Sequence, residues 1–219
     1  EIHRVNTTVE EYLYSAMEDF KIDILIDSGP NARTVRIDLE PFTLVGATTR
    51  LGNISTPMRD RFGAIFRLDF YQKNEIFKIL KRTASILEMN VQDDALTEIA
   101  GRSRGTPRIA NRVLKRVRDF AQVKNVKEIS LEDARSSLNS IGIDENGLEN
   151  MDRKILKNLI VNHNGGPTGG KSLAISINED IQTIEDVYEP YLIKEGFIER
   201  TSRGRIATDK AYALFDLKK

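Results

Sequence analysis

Residues 42–62, FTLVGATTRLGNISTPMRDRF, place the strongest constraint on the fold of this chain. The apolar run at 42–45 is typical of a buried parallel strand. It leads into Thr48 and Thr49, and open α/β sheets place their ligand sites beyond the carboxyl ends of such strands. A short helix follows, for which Thr56 is the predicted N-cap because its hydroxyl can accept a backbone N–H. The stretch therefore predicts part of an α/β domain with polar side chains at one strand end.

Two arginines, Arg59 and Arg61, belong to that short helix. Guanidinium and hydroxyl groups bind phosphoryl oxygens directionally, so a strand that ends in hydroxyls and leads to an arginine-bearing helix fits phosphate chemistry. A buried strand followed by a surface helix with solvated arginines has the same spacing. The residues alone leave both interpretations open.

The composition excludes several classes of protein. The 33 basic and 33 acidic residues balance, so any basic surface for nucleic acid must be local. The chain has no cysteine, which excludes disulfides and thiolate metal sites and is typical of a cytosolic protein. No apolar run approaches the roughly 20 residues that span a bilayer. The chain begins at Glu1 without an initiator methionine or a signal-peptide pattern, and we expect it to be part of a longer protein.

Helix and strand signals are mixed over residues 1–71, the first predicted domain. The spacing at 6–20 predicts a helix with Asn6 as its N-cap. The stretch at 21–39 predicts a β-hairpin around a Gly-Pro turn, and the alternation at 64–70 predicts a short strand.

Residues 72–146 change to helical spacing throughout and predict a second, all-α domain. Within it, Thr106 suits an N-cap and Pro107 suits the first helical position. Arg108 follows in the first turn, where a cation is unfavourable for the helix dipole. We therefore expect Arg108 to have a task other than stabilising its own helix.

Residues 147–219 predict three helices followed by a hairpin at 196–208, which is the pattern of a winged-helix DNA-binding domain. Arg200, Arg203 and Arg205 lie in the predicted wing, and arginines on such a ribbon can contact phosphates or enter a minor groove. A solvated turn with scattered arginines is the alternative.

The stretch at 165–172, GGPTGGKS, satisfies the phosphate-loop pattern G-x-x-x-x-G-K-[ST] in full. A working phosphate loop follows a buried strand and opens a helix, so that its backbone amides converge on phosphates. The preceding residues 155–163 have helical periodicity instead. The residues around this stretch therefore argue against a nucleotide site, and the stretch separates two segments that are predicted to be helical.

GATTR at 46–50 followed by RDRF at 59–62 resembles the RuvB family of AAA+ motor ATPases. The resemblance covers nearly the whole chain. It implies an α/β plus all-α fold: the C-terminal half of a AAA+ P-loop ATPase domain, a helical lid domain and a winged-helix domain. The other matching blocks, in chain order, are EIHR at 1–4, MEDF at 17–20, RSRGTPRIANRVLKRVRDFA at 102–121, MDRK at 151–154 and EDVYEPYLIKEGFIERTSRGRIAT at 185–208.

The resemblance implies three catalytic residues. Glu1 would polarise the attacking water, and Thr49, with Thr48 as the alternative, would be the sensor that orients this water. Arg61 would be an arginine finger that reaches the ATP site of a neighbouring subunit, with Arg59 as the competing candidate. Such a finger is worth about 10³–10⁵ in rate.

The resemblance also implies that ATP or ADP binds with Mg²⁺. The residues expected near the nucleotide are Glu18, Asp19, Phe20, Tyr71 and Arg108. The phosphate-binding loop and most ligands of Mg²⁺ would lie outside this chain, and no metal ligand is assigned within it. We therefore expect this chain alone to hydrolyse no ATP.

The partners implied by the resemblance are double-stranded DNA at four-way junctions, RuvA docked on the hairpin at about 21–39, five further copies in a hexameric ring, and RuvC. The implied function is ATP-driven branch migration of Holliday junctions in recombination and repair, in the bacterial cytoplasm. Two alternatives stay open: another AAA+ DNA machine such as a clamp-loader subunit, and a non-enzymatic winged-helix DNA-binding protein.

Overall fold

The computed structural model describes residues 1–26 and 33–218. The chain divides into two compact units, Glu1–Leu68 and Asp69–Lys219, called here the first and the second unit. The first unit contains α1 (Thr7–Asp19), β1 (Lys21–Ile26), β2 (Arg33–Asp38) and α2 (Thr56–Asp60), with 3-10 turns at Ile2–Arg4 and Leu51–Asn53.

The predicted helix and hairpin of the first unit are confirmed. Asn6 caps α1, because its side chain accepts the Val9 backbone N–H. The strands β1 and β2 pair antiparallel, with Ile24 opposite Val35. The predicted Gly-Pro turn between them lies outside the described residues.

The two other strands predicted for the first unit, at 42–45 and 64–70, are wrong. Neither stretch has strand structure, and Val45, Phe66 and Leu68 have exposed fractions of 87%, 84% and 93%. A parallel strand needs hydrogen-bonded neighbours and covered faces. Within the described part of the first unit, β1 and β2 pair only with each other, so neither requirement is met.

The short helix α2 is present, but its predicted N-cap is wrong by one residue. Ser55 is the N-cap, and its hydroxyl accepts the Met58 backbone N–H at 3.2 Å. Thr56 is already helical, and Arg61 is the C-cap. Consecutive hydroxyl residues both suit an N-cap, so the sequence pattern did not separate them.

The second unit begins with four helices that confirm the predicted all-α stretch. They are α3 (Lys73–Ile86), α4 (Asp93–Gly101), α5 (Pro107–Val123) and α6 (Leu131–Ser140). Their apolar stripes meet in one core, which includes the fully buried Ile76, Leu80, Ile99, Leu114 and Leu138. Ser130 and Asp133 form a capping box at the start of α6, whereas the Thr106 side chain makes no capping hydrogen bond at α5.

The remaining residues of the second unit form the winged helix. Its elements are α7 (Asn150–Val161), α8 (Gly170–Ile177), α9 (Ile181–Thr183), a π-helical turn (Ile184–Tyr188), α10 (Glu189–Lys194), β3 (Ile198–Thr201), β4 (Gly204–Ala207) and α11 (Asp209–Ala213). The strands β3 and β4 pair antiparallel as the wing, with Arg200 opposite Arg205. A separate apolar core, which includes Leu156, Leu173 and Phe197, holds the helices against the wing.

Candidate functional site

Glu1 and Thr49, 48 residues apart in sequence, are in contact in the first unit. The Thr49 backbone N–H and hydroxyl donate to Glu1 Oε2 at 3.3 and 3.4 Å. The hydrogen bond from the Thr49 backbone lowers the pKa of Glu1 below its usual value. Glu1 is therefore a carboxylate at neutral pH, beside a hydroxyl that can share a water molecule with it.

Thr48 is occupied by other contacts. Its hydroxyl lies 2.8 Å from His3 Nδ1 and accepts the Arg50 backbone N–H at 2.9 Å. His3 Nδ1 also lies 3.2 Å from Glu1 Oε2. Of the two threonines, Thr49 is thus the one whose hydroxyl lies beside Glu1, while Thr48 fixes the local loop.

Three contacts fix the Arg61 side chain within the first unit, two of them to α1 and one to α2. Its Nε lies 2.9 Å from Glu18 Oε1, its Nη1 donates to the Pro57 carbonyl at 2.9 Å, and its guanidinium carbon lies 4.2 Å from the centre of the Tyr14 ring. The side chain is 26% exposed. Arg59, by contrast, donates to the Thr56 hydroxyl at 3.1 Å and has no ion pair with a described residue. Glu18, expected near the nucleotide, is the carboxylate that pairs with Arg61.

The other residues expected near the nucleotide divide between the two units. In the first unit, Asp19 is exposed, and Phe20 packs edge-on against Phe42 with ring centres 5.7 Å apart. In the second unit, the Tyr71 ring is 47% exposed while its backbone N–H donates to the Gly105 carbonyl at 2.9 Å. Arg108 is exposed in the first turn of α5 and forms no ion pair within residues 1–26 and 33–218.

The three arginines of the wing have different surroundings. Arg203, at the turn, is exposed, and its guanidinium has no carboxylate partner among the described residues. Arg200 is 55% exposed and lies 3.2 Å from Glu185. The Arg205 side chain is only 7% exposed, donates to Glu189, and lies 2.6 Å from Glu185. Arg203 is therefore free to meet a phosphate, whereas Arg205 holds the wing on the π-helical turn and α10.

The glycine-rich stretch connects α7 to α8, as predicted: residues 165–169 form the connection and residues 170–172 are the start of α8. Thr168 forms a bridge with Arg205 of the wing. A Cβ on Gly166 would collide with the Arg205 backbone carbonyl, and one on Gly170 would collide with the Arg205 guanidinium. Close packing on the wing thus explains these glycines without any phosphate.

A buried ion pair between Arg104 and Asp152 carries no signal in the sequence, because charged residues are expected at the surface. In the part of the chain that the structure describes, no group of three or more His, Cys, Asp or Glu side chains could hold a metal ion. No described helix is long and apolar enough to cross a membrane.

Three protein-family models match consecutive parts of the chain. The Holliday junction DNA helicase RuvB P-loop domain matches residues 1–68, the RuvB AAA lid domain matches 71–144, and the RuvB C-terminal winged helix domain matches 145–216. The order of these matches confirms the expected fold, namely part of a P-loop domain, a lid and a winged helix.

Curated relatives and solved structures agree with the family models. The chain is 57% identical over 216 residues to the Holliday junction branch migration complex subunit RuvB of Salinibacter ruber, covering 99% of this chain and 63% of that protein. It is 57% identical over 217 residues to the same subunit of Oleidesulfovibrio alaskensis, covering 99% and 68%.

Among solved structures, the Thermotoga maritima RuvB Holliday junction branch migration motor matches with a TM-score of 0.85 and 47% identity, over 100% of this chain and 68% of that one. The chain thus spans about two thirds of the length of its relatives. Identity at this level, sustained through all three domains, shows that the chain belongs to the RuvB family.

Proposed function

We propose that this chain is the larger part of an ATP-driven motor subunit that moves Holliday junctions along DNA, with each ATP site shared between two subunits. The observation that carries the proposal is the contact between Glu1 and Thr49, in the unit that also bears Arg61 and matches the RuvB P-loop domain. A carboxylate beside a hydroxyl at one point of an ATPase domain suits the positioning of an attacking water.

Glu1 and Thr49 then act on the same water molecule. The ionised Glu1 carboxylate accepts a hydrogen bond from the water, which raises the electron density on its oxygen. The Thr49 hydroxyl orients that water and can exchange its hydrogen bond when a phosphoryl oxygen approaches. Thr48 is the weaker candidate because His3 and the Arg50 backbone already engage its hydroxyl.

Arg61 supplies positive charge to the ATP site of the neighbouring subunit. Guanidinium groups are suited to this because they bind phosphoryl oxygens in a fixed geometry and stay protonated. Arg61 can reach a neighbour only after it leaves Glu18 and Tyr14, which hold it on its own subunit. Arg59 is the competing finger, and its hydrogen bond to Thr56 restrains it less than the contacts of Arg61 do among the described residues.

The second unit supplies two groups whose chemistry fits a nucleotide. The exposed Tyr71 ring can stack on a base, and the exposed Arg108 has a guanidinium available for phosphate. Glu18, Asp19 and Phe20 remain predictions as nucleotide neighbours. The described residues contain no carboxylate cluster for Mg²⁺, whose role on the phosphates would be to neutralise charge.

The hairpin β1–β2 is the proposed docking surface for RuvA. Four apolar side chains on one face of it, Ile24, Ile26, Val35 and Ile37, are 40–50% exposed. Apolar side chains that stay exposed on a hairpin are suited to a protein partner. A finger that acts on a neighbour requires an oligomer, while the hexameric ring and RuvC stay predictions.

The wing contacts DNA through Arg203, with Arg200 as a secondary contact. A phosphate contact from the wing turn carries no sequence information, as a motor that moves along any DNA requires.

The test uses the full-length protein that contains this chain, with four-way junction DNA. ATP turnover should occur in the wild type and be lost in Arg61→Ala, by about 10³-fold or more. Mixing Arg61→Ala with a phosphate-loop mutant that keeps Arg61 should restore part of the turnover, because the mixed ring contains complete shared sites. Arg59→Ala is the matched control and should retain turnover.

Unchanged turnover in Arg61→Ala, with loss in Arg59→Ala, would reassign the finger to Arg59. Absence of turnover in the intact wild type, with DNA binding retained, would contradict the motor and favour a plain winged-helix DNA-binding protein.

A further inference from the structure

Arg104 lies in the short connection between α4 and α5, four residues before Arg108. Its backbone has a φ of 57°, and the following Gly105 has a φ of 67°. The side chain is 6% exposed, so its charge is removed from water. A buried arginine is retained only where carboxylates, carbonyls or aromatic rings compensate for its lost hydration.

Among the described residues, the groups that compensate the Arg104 charge lie on the winged-helix side of the second unit. Its Nε donates to the Gly147 carbonyl at 3.0 Å, and its Nη2 donates to Asp152 of α7. The guanidinium carbon lies 4.7 Å from the centre of the Tyr191 ring in α10. One side chain of the lid thus contacts a loop and two helices of the winged helix.

Asp152 and Tyr191 are themselves fixed by further hydrogen bonds. Asp152 is fully buried, and its Oδ2 also accepts the Glu149 backbone N–H at 2.7 Å as part of the capping box of α7. The Tyr191 hydroxyl donates to the Asn146 carbonyl at 2.7 Å. Burial raises the pKa of Tyr191 to about 12, so this hydroxyl keeps its proton.

The same connection also holds the residues that enter the lid. The Gly105 carbonyl accepts the Tyr71 N–H, and a Cβ on Gly105 would lie 2.7 Å from the Tyr71 carbonyl. Lys194 of α10 lies over the Phe70 ring, 4.6 Å from its centre. The connection at Arg104 and Gly105 therefore joins three parts: Tyr71, which is the proposed base-stacking residue, the helix α5, which carries Arg108, and the winged helix.

We propose that Arg104 is a positioning residue that locks the lid and the winged helix into one body. A buried ion pair has a defined direction and a large penalty for separation, so it fixes an angle between two domains better than apolar contact does. This inference rests on the proposed function. If the lid and the winged helix are one body, a nucleotide-driven rotation of the lid moves Arg203 and the DNA bound to it through the same angle.

The first test measures the joint itself and requires no ATPase activity. The 219-residue chain has no cysteine, so spin labels can be placed at the exposed positions Lys127 and Ser202 after substitution by cysteine. Double electron–electron resonance between the two labels should give one narrow distance distribution when Arg104 and Asp152 are unchanged. Arg104→Met should broaden it, whereas Arg116→Met, an exposed arginine of α5, should not.

The double variant Arg104→Met/Asp152→Asn covers the case in which Arg104→Met does not fold. It leaves no unpaired buried charge, and the asparagine oxygen can still accept the Glu149 N–H. A folded double variant should give a broad distribution. A narrow, wild-type distribution in the folded double variant would overturn the proposal.

The second test measures base pairs migrated per ATP hydrolysed by the full-length protein. In the double variant this ratio should fall by about 5-fold or more while ATP turnover persists. An unchanged ratio would show that the joint does not serve the motor. A wild type without ATP turnover would overturn the proposed function, and the spin-label distances would still decide whether Arg104 locks the two domains.

Discussion

Replacing Arg205 by methionine removes a buried cation from beneath the wing. The Arg205 side chain is 7% exposed and that of its partner Glu189 is 2% exposed. Burial alone would lower the pKa of Arg205, but the hydrogen bonds to Glu189 and Glu185 outweigh it and raise this pKa. The guanidinium is therefore held charged by two carboxylates, and methionine would leave Glu189 buried without its main partner.

The expected loss of stability follows from these contacts. Breaking a buried ion pair by removing one partner costs about 3–5 kcal/mol. Arg200 lies 3.7 Å from Glu189 Oε2 and would partly neutralise the Glu189 carboxylate after the substitution. The expected loss is therefore at the lower end of that range, about 3 kcal/mol. For the second unit, Asp69–Lys219, a loss of about 3 kcal/mol corresponds to a decrease in melting temperature of about 6–12 °C.

Thermal unfolding followed by circular dichroism gives the overall loss, and hydrogen exchange of peptides from 181–207 shows whether the wing opens. Arg203→Met is the matched control, because Arg203 is exposed and has no carboxylate partner among the described residues. The control should change stability by less than about 0.5 kcal/mol. It should weaken DNA binding and reduce the slope of its salt dependence by about 1.

The reasoning would be refuted if Arg205→Met unfolded at the wild-type temperature and lost DNA binding as Arg203→Met does. Arg205 would then be a DNA contact, as the spacing of the wing arginines first suggested, and its burial against Glu189 would have no structural importance.

Four further predictions concern the same chain. Leu156→Ala, in the fully buried core of the winged helix, should lower the free energy of unfolding by about 2–5 kcal/mol in urea titrations, while Ser130→Ala, which removes the α6 cap, should lower it by about 1 kcal/mol. Stability should fall as pH is lowered through the carboxyl range. Burial would raise the pKa of Glu98, but its hydrogen bonds with Arg102 and Arg135 outweigh burial and lower this pKa. The folded state therefore binds fewer protons than the unfolded state and loses the contribution of Glu98 in acid, which thermal unfolding between pH 7 and pH 3 would detect. The purified 219-residue chain should show no ATP turnover, and turnover that disappears in Lys171→Ala would contradict the interpretation of 165–172 as a wing-packing turn.

Helices were predicted well because their signals are local. Apolar residues three or four positions apart define the buried stripe of α3 to α6, and polar side chains at the ends cap the first turn. The wing hairpin and its glycine-containing turn follow from equally short spacings. None of these signals depends on residues distant in the sequence.

The strands predicted at 42–45 and 64–70 failed for the opposite reason. An apolar run indicates that its side chains are suited to a buried position, but a parallel strand also requires hydrogen bonds to segments that are distant in the sequence. The described residues contain no such neighbour for either run, and their side chains are exposed except for the half-buried Leu44. The pattern was therefore sufficient to suggest a strand but not to form one.

The sequence by itself determined the family, the order of the three domains and the types of side chain available for phosphate. The tertiary structure decided which arginines are free. Arg104 and Asp152 are 48 residues apart in the chain, and Arg205 and Glu189 are 16 apart, so no local pattern reveals these pairs. Because guanidinium stays protonated everywhere, the role of an arginine depends on the carboxylates that folding brings to it. Arg104 and Arg205 are buried in ion pairs that connect separate elements, whereas Arg108 and Arg203 are exposed.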